Sequence, residues 1–509
     1  MGKTWVLIAA ILGSAMTFID ATAVNVALPV IQRELQASSD QMQWVIESYA
    51  LFLSALILVG GSLGDLFGRK KCFAIGIALF ALASAACALA PSVAFLIVAR
   101  SAQGVGAALA MPESLALVSV AFPGAERGKA IGTWSGFASI MGAVGPLAGG
   151  FLTQTASWRW VFAINLPLAA VVLALIVRRV PESRAEGADR TVDWSGATLA
   201  TLGLGTLVYG LIRLQLPAAG PADAATAGVG VVLLAAFVIA QRRARHPMMP
   251  PGLFASRTFT IANVYTFALY LALGGSLYFF PYTLIDVQQY TPTAAGAAFL
   301  PFVLLQFGLS RWSGGLSAKI GARPPLAIGA AIAGAAFVAF ALPGIGGSYW
   351  TTYFPAVVLL GIGAAFFIAP LTTAVFDSSD PALSGLASAM NNAIARAAGL
   401  LAIALLGILF SATFARGFDG AIAATNVGPA TRAQAVSERA RFAAGTVPAD
   451  VARADRAAAG LAVRRGYLAG FRSVMLASAG VAFLAALIAL VALPGRRAIP
   501  LAPATATVG

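Results

Sequence analysis

Asp20 and Arg100 are the first residues to consider, because each interrupts a long apolar run with a full charge. Asp20 opens the stretch Asp20-Ala21-Thr22-Ala23-Val24-Asn25, which sets a carboxylate, a hydroxyl and an amide within one and a half helical turns. A carboxylate in hydrocarbon is unfavourable by several kcal/mol, so such a group has to face a cavity or a partner. Arg100 begins Arg100-Ser101-Ala102-Gln103-Gly104-Val105-Gly106-Ala107-Ala108. It needs a counter-charge or water, and the small residues after it allow another helix to approach closely. At 1.5 Å per residue, Asp20 lies about 13 Å below Pro29 and Arg100 about 12 Å below Ser92. The two charges therefore come to similar depth, and on neighbouring helices they can pair. Movement of Arg100 relative to Asp20 would then change how tightly the acid holds a proton. The alternative is an ion pair with a purely structural role.

Further polar groups fall in or near apolar runs. Glu47, near the outer end of the second run, and Glu113, at the inner end of the run that holds Arg100, are further acids in or near the membrane; either can simply reach the interface. Asn391, Asn392 and Arg396 sit about one turn apart among small residues. Asn25, Gln103, Asn392 and Arg396 are candidates for lining a substrate cavity, with hydrogen-bonded packing between helices as the alternative. No metal cluster is available from one histidine, His246, and two cysteines, Cys72 and Cys87, and no cofactor is implied. The cysteines, on one helix and about 22 Å apart, cannot bridge.

The elements that position these groups are membrane helices. Of the 509 residues, 59% are hydrophobic and 10% charged, against about 25% charged in soluble domains. Fourteen apolar spans of about 20 residues can be drawn, so the chain is an all-α integral membrane protein. The N-terminal run continues past 20 residues and contains Asp20, which marks a retained first span and not a cleaved signal. The net charge of +14 suggests nucleic acid, but Lys and Arg sit at span ends and not along one soluble face. Over the short loops the bases divide nineteen to three between the two sides, which places both termini in the cytoplasm. Six spans precede residue 180 and six follow residue 258. The expected organisation is a six-helix bundle over residues 1–180, a linker with two extra spans over 181–257, and a second bundle over 258–509. That second bundle includes a long extracytoplasmic loop, 411–469, whose Ala/Arg-rich stretches can form short surface helices.

One hairpin turn organises the first half. Gly61 to Lys71 packs three glycines, one acid and three bases between two spans. Glycines at 61, 64 and 68 permit a tight turn, Asp65 can pair with Arg69, and Lys70 and Lys71 hold the turn on the cytoplasmic side. Gly314 to Arg323 echoes it, with Gly314, Leu316 and Gly321 falling on Gly61, Leu63 and Gly68. In the fifth span, Gly142, Gly145, Pro146, Gly149 and Gly150 let a neighbouring helix approach, and Pro146 can bend the span.

The turn is similar to the loop signature G-x-L-x-D-x-x-G-R-[KR]-[KR] between helices 2 and 3 of the major facilitator superfamily, matched by Gly61, Leu63, Asp65, Gly68, Arg69, Lys70 and Lys71. Residues 19–29 resemble the L-D-x-T-x-x-N-x-A-L-P signature of its fourteen-helix drug:proton antiporter branch, with Ile19 for Leu. Arg100 to Ala108 resembles R-x-x-Q-G-x-G-A-A, whose arginine the family associates with proton handling. Gly145-Pro146-x-x-Gly149-Gly150 resembles the antiporter signature G-x8-G-x3-G-P-x2-G-G, with Met141 where a glycine is expected. Trp158-Arg159-Trp160, with Phe162, Asn165 and Pro167, matches W-R-W-x-F-x-I-N-x-P before helix 6.

The resemblance implies the major facilitator fold and a proton-coupled antiporter of the cytoplasmic membrane that exports amphiphilic small molecules by alternating access. Its partners would be protons, a small-molecule substrate and the bilayer. Asp20, Arg100 and Glu47 would couple protons. Gly61, Asp65, Gly68 and Arg69 would gate, since they lie at the edge of the membrane in a turn. No acid of the later spans reads as buried, Asp286 and Asp377 standing at span ends, so a strict preference for cations is not expected. A dedicated exporter of one endogenous metabolite and a transport-dead sensor are the rivals. A membrane-embedded enzyme would need a nucleophile–base pair or metal ligands at depth, which one loop histidine does not supply.

Overall fold

The computed structural model describes residues 2–122, 125–184, 192–216, 219–378, 384–437 and 451–494. They form α1 (Gly2–Glu34), α2 (Ser39–Phe67), α3 (Arg69–Ala88), α4 (Val93–Ala121), α5 (Ala125–Thr155), α6 (Arg159–Ala163), α7 (Asn165–Arg179), α8 (Trp194–Arg213), α9 (Pro221–Arg243), α10 (Arg257–Tyr282), α11 (Pro292–Ala297), α12 (Leu300–Ile320), α13 (Arg323–Ala341), α14 (Tyr349–Thr352), α15 (Phe354–Asp377), α16 (Ser384–Ala423), α17 (Pro429–Ser437) and α18 (Arg456–Ala492). No strand occurs among the described residues. In hydrocarbon every backbone N–H and C=O must be satisfied within its own segment, and the helix does this for an isolated span. Thirteen helical stretches among the described residues are long and apolar enough to cross a membrane, and α5, which packs along α1, occupies the place of the remaining expected span. Arg190, Arg496 and Arg497, which entered the charge asymmetry, lie outside the described residues, as do the side chains of Arg127, Lys129, Arg311 and Asp377.

Small residues set the helix spacing in the first half. α4 packs against α2 and α3, and α1 against α5, α4 and α7. A side chain added at Gly104 would strike the Tyr49 carbonyl, and one at Gly106 the backbone of Phe80. In the second half α13 packs on α15 and α18, and α10 on α16 and α18. α8 and α9 pair with each other; α8 also rests on α2 and α16 through Leu51, Val208 and Leu400, whereas α9 is mostly exposed to the surroundings. The echo between the halves extends to backbone geometry. Gly68 ends α2 at φ 110° and Gly321 ends α12 at φ 86°, positive values that a side chain resists.

The described residues of the region expected as a long loop, 411–469, are largely helical. α16 runs for 40 residues and α18 for 37, which is about 60 Å and 55 Å of helix against about 30 Å of hydrocarbon. Alanine and arginine are strong helix formers, so neither helix stops where its apolar run stops. Phe410, Phe414 and Phe418 stack down α16 at centroid spacings of 6.2 and 5.7 Å, and Tyr467 of α18 meets Phe410 edge-on at 4.8 Å. The described connection between them holds one short helix, α17.

Candidate functional site

Asp20 of α1 and Arg100 of α4 form an ion pair with both residues fully buried (0% exposed). The pairing inferred from equal depth is thus present. Three further groups complete the cluster. Gln103, one turn beyond Arg100, donates to Asp20 Oδ1 at 2.8 Å and accepts from Arg100 Nη1 at 2.7 Å. Asn165, at the start of α7, donates to Asp20 Oδ1 at 3.3 Å. Ser84 of α3 accepts from Gln103 at 2.9 Å and from Asn165 at 3.3 Å. Arg100 Nε donates to the Val45 carbonyl of α2 at 3.1 Å, and its guanidinium lies 4.3 Å from the Tyr49 ring centre. Four helices, α1, α3, α4 and α7, thus meet in one cluster around the carboxylate, with α2 closing the arginine side. A buried charge pair is tolerated only when its remaining donors and acceptors are met, and here they largely are.

Gln103, expected at a substrate cavity, belongs to this sealed network, because the i, i+3 spacing puts it on the Arg100 face of α4. Ser84 is not legible in the sequence, since a lone serine in an apolar run gives no signal beyond its hydroxyl. Asn165 stands out there only as part of an aromatic, proline-bearing stretch.

Glu47 is 0% exposed, and neither carboxylate oxygen has a hydrogen-bond partner. It does not reach an interface; it lies within electrostatic range of Tyr278 of α10. Glu113 is also buried without a hydrogen bond, its carboxylate seated against Gly64, where any side chain would displace it. Asp286 corrects the reading of the later spans. It stands in a π-helical turn, Thr283–Val287, which draws it inside: its side chain is 8% exposed and faces Arg33 of α1 at 3.7 Å.

The turn after α2 holds Asp65 and Arg69 in an ion pair of 2.7 Å, with a second bond from Arg69 Nε at 3.1 Å. Positive φ at Gly68 makes this geometry possible. The start of α3 is tied to the segment after α7: Arg69 N–H donates to the Ser183 carbonyl at 2.9 Å and Lys70 N–H to Glu182 at 3.0 Å. A side chain added at Gly61 would meet Pro112 of α4 at 3.5 Å, an ordinary van der Waals contact.

The glycine motif of α5 is a contact on two sides. A side chain at Gly145 would strike Thr22 and the Ile19 carbonyl, and one at Gly149 would come within 2.6 Å of the Ala23 carbonyl, so α1 approaches next to Asp20. On the other side Gly150 meets the Pro292 backbone, and Gly296 of α11 meets the Pro146 backbone. The halves also meet at this end through Arg33–Asp286, through Thr293 N–H donating to Gln154 at 3.3 Å, and through Gln215, which exchanges hydrogen bonds with Gln43 and donates to the Ala404 carbonyl at 3.1 Å.

In α16, Asn391 binds α10 through Asn263 at 3.0 Å and Thr266 at 2.7 Å. Asn392 is exposed and bonds only its own helix, at Ser388. Asn25, half-buried, likewise donates to Ala21 at 3.3 Å. Arg396 reaches across to α4, where its Nη2 lies 3.0 Å from the Met111 sulfur. No group of three or more His, Cys, Asp or Glu side chains suited to a metal occurs among the described residues.

A family model described as Major Facilitator Superfamily matches residues 10–416. The chain is 37% identical over 424 residues to the multidrug resistance protein Stp of Mycobacterium tuberculosis, covering 80% of this chain and 75% of that protein. It is 32% identical over 501 residues to the tetracenomycin C resistance and export protein of Streptomyces glaucescens, covering 96% and 91%. Its fold matches a bacterial homologue of the human lysosomal transporter Spinster, in an inward-facing and unoccupied conformation, with TM-score 0.67 at 18% identity over 97% of each chain. With a helical membrane fold, a buried charge pair between two spans and relatives that align along most of its length, the chain belongs to the Major Facilitator Superfamily.

Proposed function

We propose that the chain is a proton-coupled antiporter that exports amphiphilic small molecules across the cytoplasmic membrane by alternating access. The observation that carries this reading is the Asp20–Arg100 pair: a carboxylate with no exposure to solvent, held by Arg100 and by two further hydrogen bonds, from Gln103 on the arginine's own helix and from Asn165 on α7. Relatives named for drug resistance and for antibiotic export supply the direction and the class of cargo. Residues 1–180 and 258–509 act as the two moving bundles, with 181–257 as the linking pair. Asp20 and Arg100 couple protons, with Glu47 as the reserve carrier. Gly61, Asp65, Gly68 and Arg69 gate the near end of the bundle, where α1 begins. Gly145, Pro146, Gly149 and Gly150 form the pivot at the far end. With both termini cytoplasmic, the contacts at that far end close the outer side. A transporter for one compound is the second reading, favoured by a relative named for tetracenomycin C alone.

Everted membrane vesicles test the proposal. Several unrelated fluorescent amphiphiles are expected to accumulate when respiration acidifies the lumen and to leave on addition of a protonophore. Accumulation unaffected by the protonophore would refute proton coupling, and accumulation of a single compound would select the second reading. Reporter fusions after residues 425 and 494 are expected to give opposite signals; identical signals would overturn the orientation.

A further inference from the structure

Arg396 is a cation whose needs the protein itself leaves unmet. Its Nε has no hydrogen-bond partner, and its Nη2 reaches only the thioether of Met111. The side chain is partly accessible, so it borders space and is not sealed in packing. Its electrostatic neighbours are two phenols, Tyr49 of α2 and Tyr270 of α10, and among the described residues it makes no ion pair with a carboxylate. The Tyr49 hydroxyl is likewise buried with no partner. Two donors in electrostatic range of one another, Arg396 Nε and the Tyr49 hydroxyl, therefore have no acceptor among the described residues. A guanidinium left without an anion inside a protein is costly, and both groups are hydrogen-bond donors to whatever enters.

We propose that Arg396 and Tyr49 form a subsite for an acidic group on the transported compound, a carboxylate, sulfonate or phenolate, in a deepening of the exporter reading on which it rests. The acid accepts from Arg396 and from the Tyr49 hydroxyl, while the apolar body of the compound lies beside the rings of Tyr49 and Tyr270. Arg396 belongs to the second half and Tyr49 and Met111 to the first, so a bound anion ties the halves together. The Tyr49 ring also covers Arg100, whose guanidinium lies 4.3 Å from the ring centre. An anion at the subsite is thus one ring removed from the Asp20–Arg100 pair and competes with Asp20 for the field of Arg100.

The probes are pyrenebutyrate and pyrenebutylammonium, which share an apolar body and differ in charge. Their dissociation constants are measured on the full chain in lipid nanodiscs. The wild type is expected to prefer the carboxylate by about tenfold, the scale of one or two charge-assisted hydrogen bonds. Arg396→Gln is expected to bring the ratio of the two constants to about one, Arg396→Lys to restore part of it, and Tyr49→Phe to lower it a few-fold. A wild type that prefers the ammonium, or a ratio unmoved by Arg396→Gln, overturns the subsite. If chloride alone occupies the site with a dependence on Arg396 while pyrenebutyrate binding has none, the site holds an inorganic anion and the assignment to substrate is overturned. Everted vesicles separate the two claims. Proton-driven uptake of the ammonium without preference for the carboxylate leaves the exporter standing and removes the subsite. Uptake of neither probe, with the binding ratio still set by Arg396, keeps the subsite and removes the exporter.

Discussion

Replacing Asp20 by asparagine deletes one negative charge from a cluster in which three donors point at it: Arg100 Nη1, Gln103 Nε2 and Asn165 Nδ2. The new amide keeps one acceptor oxygen, and its NH2 has to face Arg100 or the pair of neighbouring amides, donor against donor. Arg100 becomes a buried cation without an anion, which costs about 3–5 kcal/mol. It keeps the Val45 carbonyl, Gln103 Oε1 and the Tyr49 face. A desolvated cation–π contact contributes about 2 kcal/mol, so the lower end of that range, about 3 kcal/mol, is expected. Combining Asp20→Asn with Arg100→Gln removes both buried charges and is expected to recover about 2 kcal/mol relative to the sum of the single losses. Stability is read by denaturant unfolding of purified protein in detergent and function by proton-driven uptake in everted vesicles. The single variant is expected to be destabilised and uncoupled, the double variant folded yet uncoupled. Full proton-driven transport by Asp20→Asn would remove Asp20 from the mechanism and shift the role to Glu47. Additive losses in the double variant would show that the two charges do not sense each other.

Asp65→Asn removes the charge that Arg69 pairs with and weakens its two bonds in the turn after α2; transport is expected to fall while equilibrium binding of a transported compound holds, and equal loss of both would refute a gating role. Gly149→Val places atoms against the Ala23 backbone and is expected to cost about 1–3 kcal/mol by overpacking. Gly142→Ala, with nothing within 4 Å of the added carbon, is its neutral control in the same unfolding assay. Asp193 lies just before α8 and pins α9 and the link to α10. Partial burial works against its charge, but hydrogen bonds from Gln241, Gly196 N–H, Ser195 and Met248 N–H outweigh it and hold its carboxyl below the usual range. Its folded value lies below the unfolded one, so its stabilisation is present above about pH 4 and is lost as pH falls through the folded value. The Tm difference between wild type and Asp193→Asn is therefore expected to be constant from neutral to mildly acidic pH and to shrink only below pH of about 4.

The sequence alone determined whatever depends on hydropathy and local geometry. Apolar runs of membrane length gave the spans, because the bilayer fixes both the length and the helical state of a crossing segment. Counting residues from span ends put Asp20 and Arg100 at one depth, since the rise per residue is constant, and the glycines at 68 and 321 marked turns through their backbone freedom. Only the tertiary structure decided what lies across from what. That Gln103 serves Asp20 and does not line a cavity depends on how α4 is rotated toward α1. Ser84 enters the cluster only because α3 packs on α4. Glu47 and Glu113 look like residues near span ends, yet neighbouring helices cover both. Asp286 is drawn inward by a π-helical turn that hydropathy does not register. α16 and α18 outrun their apolar stretches because alanine and arginine sustain a helix in water as well as in lipid, so a profile of hydrophobicity stops before the helix does.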